Sequence, residues 1–366
     1  MAETKPKKKI KEKKERKKKK KEKKNSKKRL RSSSVDESKK LKKKKPTMRP
    51  TVTLALPGSI ISNAQTRELQ TYLAGQIGRT LSIFNIDEVV VFDDGLAKNK
   101  SATAAQSDMG REDRKWNPNV FLARILQYLE TPQYLRRALF PVHKDLKYAG
   151  LLNPLDAPHH MRATQRLEYR EGVTTNLSVR QGKGSWVDVG LRKPVQIDRK
   201  IKPNVRVTVK LDLPSDPKRQ PTRGVVVPPR EPLTKGDRYW GYQTRLAPSL
   251  SAVWSQCPYK GGYDLTVGTS DKGTIVIDDP KFTIPSFSHL LVVFGGLAGI
   301  EDCVANDDAL DVEPADTHTL FDMYVNTCPK QGSRTIRSEE AILISMARFQ
   351  PHINIVIDGA SGGVVS

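Results

Sequence analysis

Long apolar runs are missing from this 366-residue chain. No stretch approaches the roughly 18 consecutive apolar residues that a bilayer-crossing helix needs, so nothing in it reads as a membrane span. Cysteine is scarce: Cys257, Cys303 and Cys328 are too few and too scattered for a disulfide framework or a four-ligand zinc site. They read as small buried or neutral loop residues in a reducing compartment. The G-x-x-x-x-G-K-[ST] signature is absent, which excludes a P-loop. Gly295-Gly296 lacks the G-x-G-x-x-G spacing, and an acidic stretch, Glu301 to Asp316, stands where a dinucleotide fold would place its helix.

The balance of charge is most lopsided at the start of the chain. The first fifty residues carry 26 of the 64 Lys and Arg but 6 of the 40 Asp and Glu, leaving the other 316 residues nearly neutral, 38 against 34. This arm, residues 1–50, has no aromatic residue and hardly any β-branched ones, so it cannot bury enough apolar surface to offset its ordering entropy and reads as disordered. It lacks the apolar segment of a secretory signal and the Arg-rich amphipathic pattern of a mitochondrial one. The address it implies is the nucleus and nucleolus. A solvated tail is one reading of it; a sequence-blind, salt-sensitive contact with nucleic-acid phosphates is the other.

From Thr51 the text becomes ordered. Val52, Leu54 and Leu56 alternate up to Pro57-Gly58, a strand and turn; Leu69, Tyr72, Leu73, Ile77 and Leu81 recur at helical spacing; and residues 88–92 form the continuous apolar run of a buried parallel strand. Residues 94–116 read as a mobile loop, and Asn117-Pro118 opens a second helix. This order predicts an α/β architecture with a mostly parallel sheet. Short β-rich runs at 185–189, 205–209, 224–227 and Tyr239 to Leu246 predict a small β barrel or sandwich inserted over 168–247 between the halves 51–167 and 248–366. After Pro248 strands are expected at 263–268, 290–294 and 321–326. A helix is expected from Ser338 to about Phe349, its Glu339 and Glu340 favourable at the positive end of the dipole.

Three loops each follow one of these late strands: 268–273, 295–301 and 326–337. Ligands of open α/β sheets bind outside the carboxyl ends of strands, so the three mark the default site. Glycines with few fixed charges suit an uncharged adenosine held by backbone; tight turns alone would explain them equally well.

The strings Leu56-Pro57-Gly58-Ser59-Ile60, Tyr72 to Ile77, Ala123 to Glu130, Leu151 to Arg162 and Tyr324 to Arg337 resemble those of the eukaryotic SPOUT-domain RNA methyltransferases associated with centromeres and the mitotic spindle, over about Thr51 to Phe349. The resemblance implies an α/β trefoil knot, S-adenosylmethionine as cofactor, a homodimer with its site at the subunit interface, and an OB-like barrel insert. By position it implies cofactor contacts at Thr269, Gly295, Gly296, Gly299, Asn326 and Thr327, with Gly332, Ser333 and Ile336 closing the knot loop. Lys272 stands where Arg is expected, which weakens a bidentate carboxylate contact there. The loop Asp302 to Asp316 reads as peripheral.

For the acceptor, Asn153, Asp156, His159, His160 and Arg162 form one polar string. It reads equally as an RNA-binding and catalytic segment, with Asp156 and His160 as proton-handling groups, or as a hydrogen-bonded linker. Adjacent histidines fit no usual zinc spacing, so no metal is expected. Arg334 and Arg337 precede a helix N-terminus, where two cations are costly without an anion. They read as catalytic and RNA-gripping residues, or as partners of Glu339 and Glu340. The expected activity is methylation of a ribosomal RNA base nitrogen, uridine N3. The alternative is an adaptor that keeps the cofactor fold and works through RNA, spindle or kinetochore binding.

Overall fold

The computed structural model describes residues 49–96, 116–216 and 218–361. Nearly all of the basic arm, and residues 97–115 of the loop expected over 94–116, lie outside them.

Strands β1 (Thr51–Pro57) and β2 (Glu88–Phe92) are buried at every position, as parallel strands covered on both faces must be. Helix α1 (Arg67–Ile83) lies between them, its first turn capped by the Thr66 hydroxyl, which accepts from the Leu69 amide. Helix α2 (Pro118–Glu130) starts as the sequence predicts, with Asn117 capping and proline at the first position. A short α3 (Gln133–Leu139) leads into a linker. There follow β3 (Tyr169–Thr174), β4 (Trp186–Asp188), β5 (Val195–Gln196), β6 (Arg206–Leu211) and β7 (Gly224–Val227). Then come α4 (Glu231–Gly236), β8 (Gln243–Ala247), α5 (Ser251–Ser255), β9 (Leu265–Thr269), β10 (Ile275–Val276), β11 (His289–Val293), α6 (Ile300–Ala305), β12 (Met323–Asn326) and α7 (Ser338–Ser361).

Seven strands form one parallel sheet in the order β10-β12-β9-β11-β1-β2-β8. Alternate residues face opposite ways. Leu54, Leu56 and Val292 meet Ile77, Phe121, Leu126, Met346 and Phe349 of α1, α2 and α7 on one face. Ala55, Val90 and Val293 meet Val253, Ile300 and Val304 of α5 and α6 on the other. Each fully buried Leu, Ile or Phe there is worth about 1.5–3 kcal/mol.

The other five strands form an antiparallel sheet, β5-β4-β3-β6-β7, around a separate core of Val187, Val189, Val195, Val209 and Leu211. It curls into a half-barrel whose edges approach at one parallel bridge, Gln196 with Arg223.

Four readings need correction. The run Tyr239 to Leu246 is not a barrel strand: Tyr239 and Tyr242 are buried, donating to the carbonyls of Ile86 and Leu126, and Gln243–Ala247 joins the parallel sheet beside β2, where Arg245 pairs with Glu88 at 2.8 Å. A helix does follow the Gly295–Gly299 loop, the six-residue α6, because Ile300, Cys303 and Val304 have a core to fill. Helix α7 runs past Phe349 and through Pro351, held by Phe349 and Ile353 in the core. Strand β3 and the two-residue β5 and β10 carried no recognisable run. Among the described residues no helix is long and apolar enough to cross a membrane.

Candidate functional site

Because β12, β9 and β11 are neighbours, their carboxyl ends deliver three loops to one edge of the sheet, around a cavity of about 240 Å³. Of the residues expected at a cofactor, Thr269 and Lys272 line it from the first loop and Gly295, Gly296 and Gly299 from the second. Asn326, Thr327 and Ile336 line it from the third, to which Gly332 and Ser333 belong without forming its wall.

Two glycines of the middle loop, Gly295 and Gly299, leave no room for a side chain, whereas Gly296 has ordinary space around it. A Cβ on Gly295 would fall 2.2 Å from the Gly299 carbonyl carbon, and Gly299 itself sits at φ +90° and pairs with Gly296. Bare backbone therefore faces the cavity. The neighbouring side chains hold the loops in place. The Thr269 hydroxyl donates to Val293 O at 2.9 Å; Asn326 Nδ2 donates to Asp271 O at 2.8 Å while its Oδ1 accepts from the Cys328 amide at 3.0 Å. Thr327 shares a 2.8 Å hydrogen bond with Ser345 of α7, and Ser338 donates to Gly295 O at 3.1 Å, tying the start of α7 to the glycine loop.

Charge at the cavity comes from Asp271, Lys272, Glu301 and Arg334. Glu301 is half-shared: Lys272 Nζ lies 3.4 Å from its Oε1, and the Tyr324 hydroxyl donates to the same oxygen at 3.3 Å. Burial, with the Glu301 charge adding to it, pushes the Tyr324 phenol up to about 12, so it stays protonated at neutral pH. Arg334 is exposed and has no carboxylate partner among the described residues, which leaves a free cation at the mouth. Arg337 instead lies 4.0 Å from Glu339, and its amide donates to Glu340. Next to Gly296, Ser59 donates to the buried Asp94, whose carboxyl is pushed up by burial.

The polar string of 153–162 does not line this cavity. Asn153 sits in a groove between α1 and α7. Asp156 is exposed at φ +53°, beside carbonyls of Pro154 and Leu155 that accept from Arg79. His159 is fully buried; His159 and His160 both reach the Glu130 carbonyl, at 2.8 and 2.7 Å, and His159 also meets the Glu130 carboxylate at 3.0 Å. Arg162 is exposed, and its carbonyl accepts from Arg170. The geometry of the histidine pair is that of a linker pinned to the end of α2.

A larger cavity, about 390 Å³, opens at the amino edge of the sheet beside the half-barrel, but its charges are already paired. Arg206 binds Glu130 at 2.6 Å and Glu171 at 2.7 Å, Arg230 binds Asp87 at 3.2 Å, and Trp240 donates to Glu171. The sequence reading missed Ser338, Ser345 and Asp94 as neighbours of the candidate site, whereas Glu301 lay inside the 295–301 loop that it marked.

Residues 51–349 match the family described as "Putative RNA methyltransferase". The chain is similar to the 28S rRNA (uridine-N(3))-methyltransferase of Mus musculus, 52% identical over 306 residues that cover 84% of this chain and 77% of that protein. It is similar to the protein of the same name from Homo sapiens, 52% identical over 301 residues, 82% and 78% of the two chains. With the Drosophila melanogaster protein of that name it shares 50% identity over 304 residues, 82% of this chain and 62% of the other.

Proposed function

The chain belongs to this RNA methyltransferase family, and from that premise we propose that it transfers a methyl group from S-adenosylmethionine to N3 of a uridine in ribosomal RNA. The observation that carries this reading is the cradle of bare backbone at Gly295, Gly296 and Gly299, facing Asn326 and Thr327 across the carboxyl edge of the sheet. A flat adenosine can lie against such backbone where any side chain would block it. The residues present fit the cofactor, which would supply an electrophilic methyl group on a sulfonium.

In this reading Thr269, Asn326 and Ser338 keep the three loops in register, and Lys272 shares Glu301 with the cofactor's amino-acid end. Arg334 draws the RNA backbone to the mouth. Attack by N3 requires loss of its proton. Asp94, a buried carboxylate with a raised pKa beside Gly296, is our choice of acceptor.

The finer architecture belongs to the same proposal. The third loop and α7 complete a trefoil knot. The half-barrel, ordered β3-β4-β5-β7-β6 around its bridge, is OB-like. A second copy covers the groove of α1 and α7, where Tyr72, Ile83, Leu151 and Leu343 are about half exposed. The arm delivers the enzyme to the nucleolus.

The test is incorporation of label from S-adenosylmethionine into ribosomal RNA from cells lacking the protein, with the modified base mapped at nucleotide resolution. The expected product is N3-methyluridine at one position. Asp94→Asn should bind cofactor normally and lose turnover by about 10²-fold or more. A folded protein that binds no cofactor, or methylation at a different atom, sinks the reading.

A further inference from the structure

The neutrality of the body hides a division. Residues 168–247 carry 17 Lys and Arg against 8 Asp and Glu, so the remainder of the body, 21 against 26, is acidic. The excess is concentrated in the four loops of the half-barrel, 175–185, 189–194, 197–205 and 212–223, which hold ten cations and three carboxylates. Two of those carboxylates are engaged: Asp198 with Arg199 at 2.9 Å and Asp216 with Arg219 at 3.8 Å. Arg180, Lys183, Arg192, Lys193, Lys200, Lys202, Lys218 and Arg223 are exposed, with no ion pair among the described residues.

These loops are joined in pairs. Ser185 accepts from and donates to the 199–201 backbone, linking 175–185 to 197–205, and Gln220 donates to Lys193 O at 2.7 Å, linking 189–194 to 212–223. The six-residue strands β3 and β6 run between the two pairs, setting them about 20 Å apart. The open seam between β5 and β7 forms a groove with Lys183 and Arg223 on its walls.

What the four loops lack is as informative: they contain no Phe, Trp, Tyr or His. Of the aromatics in 168–247, Tyr169, Tyr239, Trp240 and Tyr242 are buried and Trp186 is half-buried. Proteins that hold single strands combine a basic groove with aromatic rings on which bases stack. Base-paired RNA is instead gripped through its phosphates and shape. We infer that the half-barrel is a clamp for a base-paired RNA segment flanking the modified loop, holding two tracts of its backbone with the two loop pairs.

This inference rests on the proposed function only for the choice of RNA as the polyanion. Its test uses the full chain, so that the basic arm contributes equally to every measurement. Wild type is compared with Lys183→Ala/Lys200→Ala/Lys202→Ala/Arg223→Ala on a 20-base-pair RNA hairpin stem and on an unpaired strand of matched length. The wild type should prefer the stem. The variant should bind the stem about tenfold more weakly or worse, and its log–log salt slope should flatten by up to about 3.6, near 0.9 for each of the four phosphates no longer neutralised. S-adenosylmethionine affinity should not change. Preference for the unpaired strand, or an unchanged slope in the variant, overturns the clamp. Stem binding that persists in a protein unable to methylate would refute the proposed activity and leave the clamp standing.

Discussion

One methyl group at Gly295 would meet backbone, and backbone cannot rotate out of the way as a side chain can. Gly295→Ala should therefore displace the loop and lower cofactor affinity at least tenfold, about 1.4 kcal/mol, in a titration by calorimetry. The melting temperature should move by only a few degrees, since the loop is peripheral to both cores. An unaltered affinity would remove the cradle from the site. At this scale the glycines were legible because a strand end followed by glycine has few physical explanations. The roles of His159 and His160 were not legible. Two adjacent histidines look the same in sequence whether they face RNA or bind the Glu130 carbonyl, and only burial separates the cases. Arg334 and Arg337 differ for a similar reason, since Glu339 sits two positions from one and beyond easy reach of the other.

At the scale of elements, the junction of α2, β3 and β6 gathers Glu130, Glu171, Arg206 and His159 into one buried charged cluster. Burial alone would raise the Glu130 carboxyl, but Arg206 and His159 outweigh it and hold it well below the usual range. Arg206→Ala would strand two buried carboxylates, Glu130 and Glu171, and should cost about 3–5 kcal/mol in urea unfolding. Acid should act here too. Burial, then the neighbouring His159, pushes His160 down to about 4 from 6.5. The unfolded chain thus takes up this proton first, so stability present above pH 6.5 is lost as pH falls toward 4. His160→Gln should flatten that stretch of the stability profile, by at most about 3 kcal/mol, and an unchanged profile would show that the acid loss arises elsewhere. Helix α1 was readable from its spacing and β2 from its unbroken apolar run. Strand β8 was misread because a short β-rich run that follows other β-rich runs carries no mark of which sheet it joins; that is fixed by its pairing with β2, remote in sequence.

For the whole molecule, charge separates into three regions: a strongly basic arm, a basic half-barrel and an acidic parallel-sheet body. Deleting residues 1–45 should weaken RNA binding and its salt dependence and disperse nuclear localisation, because counterion release scales with the number of cations involved. Cofactor affinity, measured on the same protein, should be unchanged; its loss would mean that the arm contributes to the fold. The arm's charge was plain in the sequence. The polarity within the body was concealed by averaging, and appeared only when the barrel loops were separated from the sheet.

The half-barrel leaves and rejoins the sheet at a single crossing. Gly241, on the returning chain, is so close to the departing His159 and to Glu130 that a Cβ there would lie 2.7 Å from one and 2.4 Å from the other. The eighty residues between form a loop tied at its neck, as a bud is joined to a stem. Exchange of the bud for a short link would leave β2 and β8 side by side, so that the sheet's register does not depend on what the neck carries.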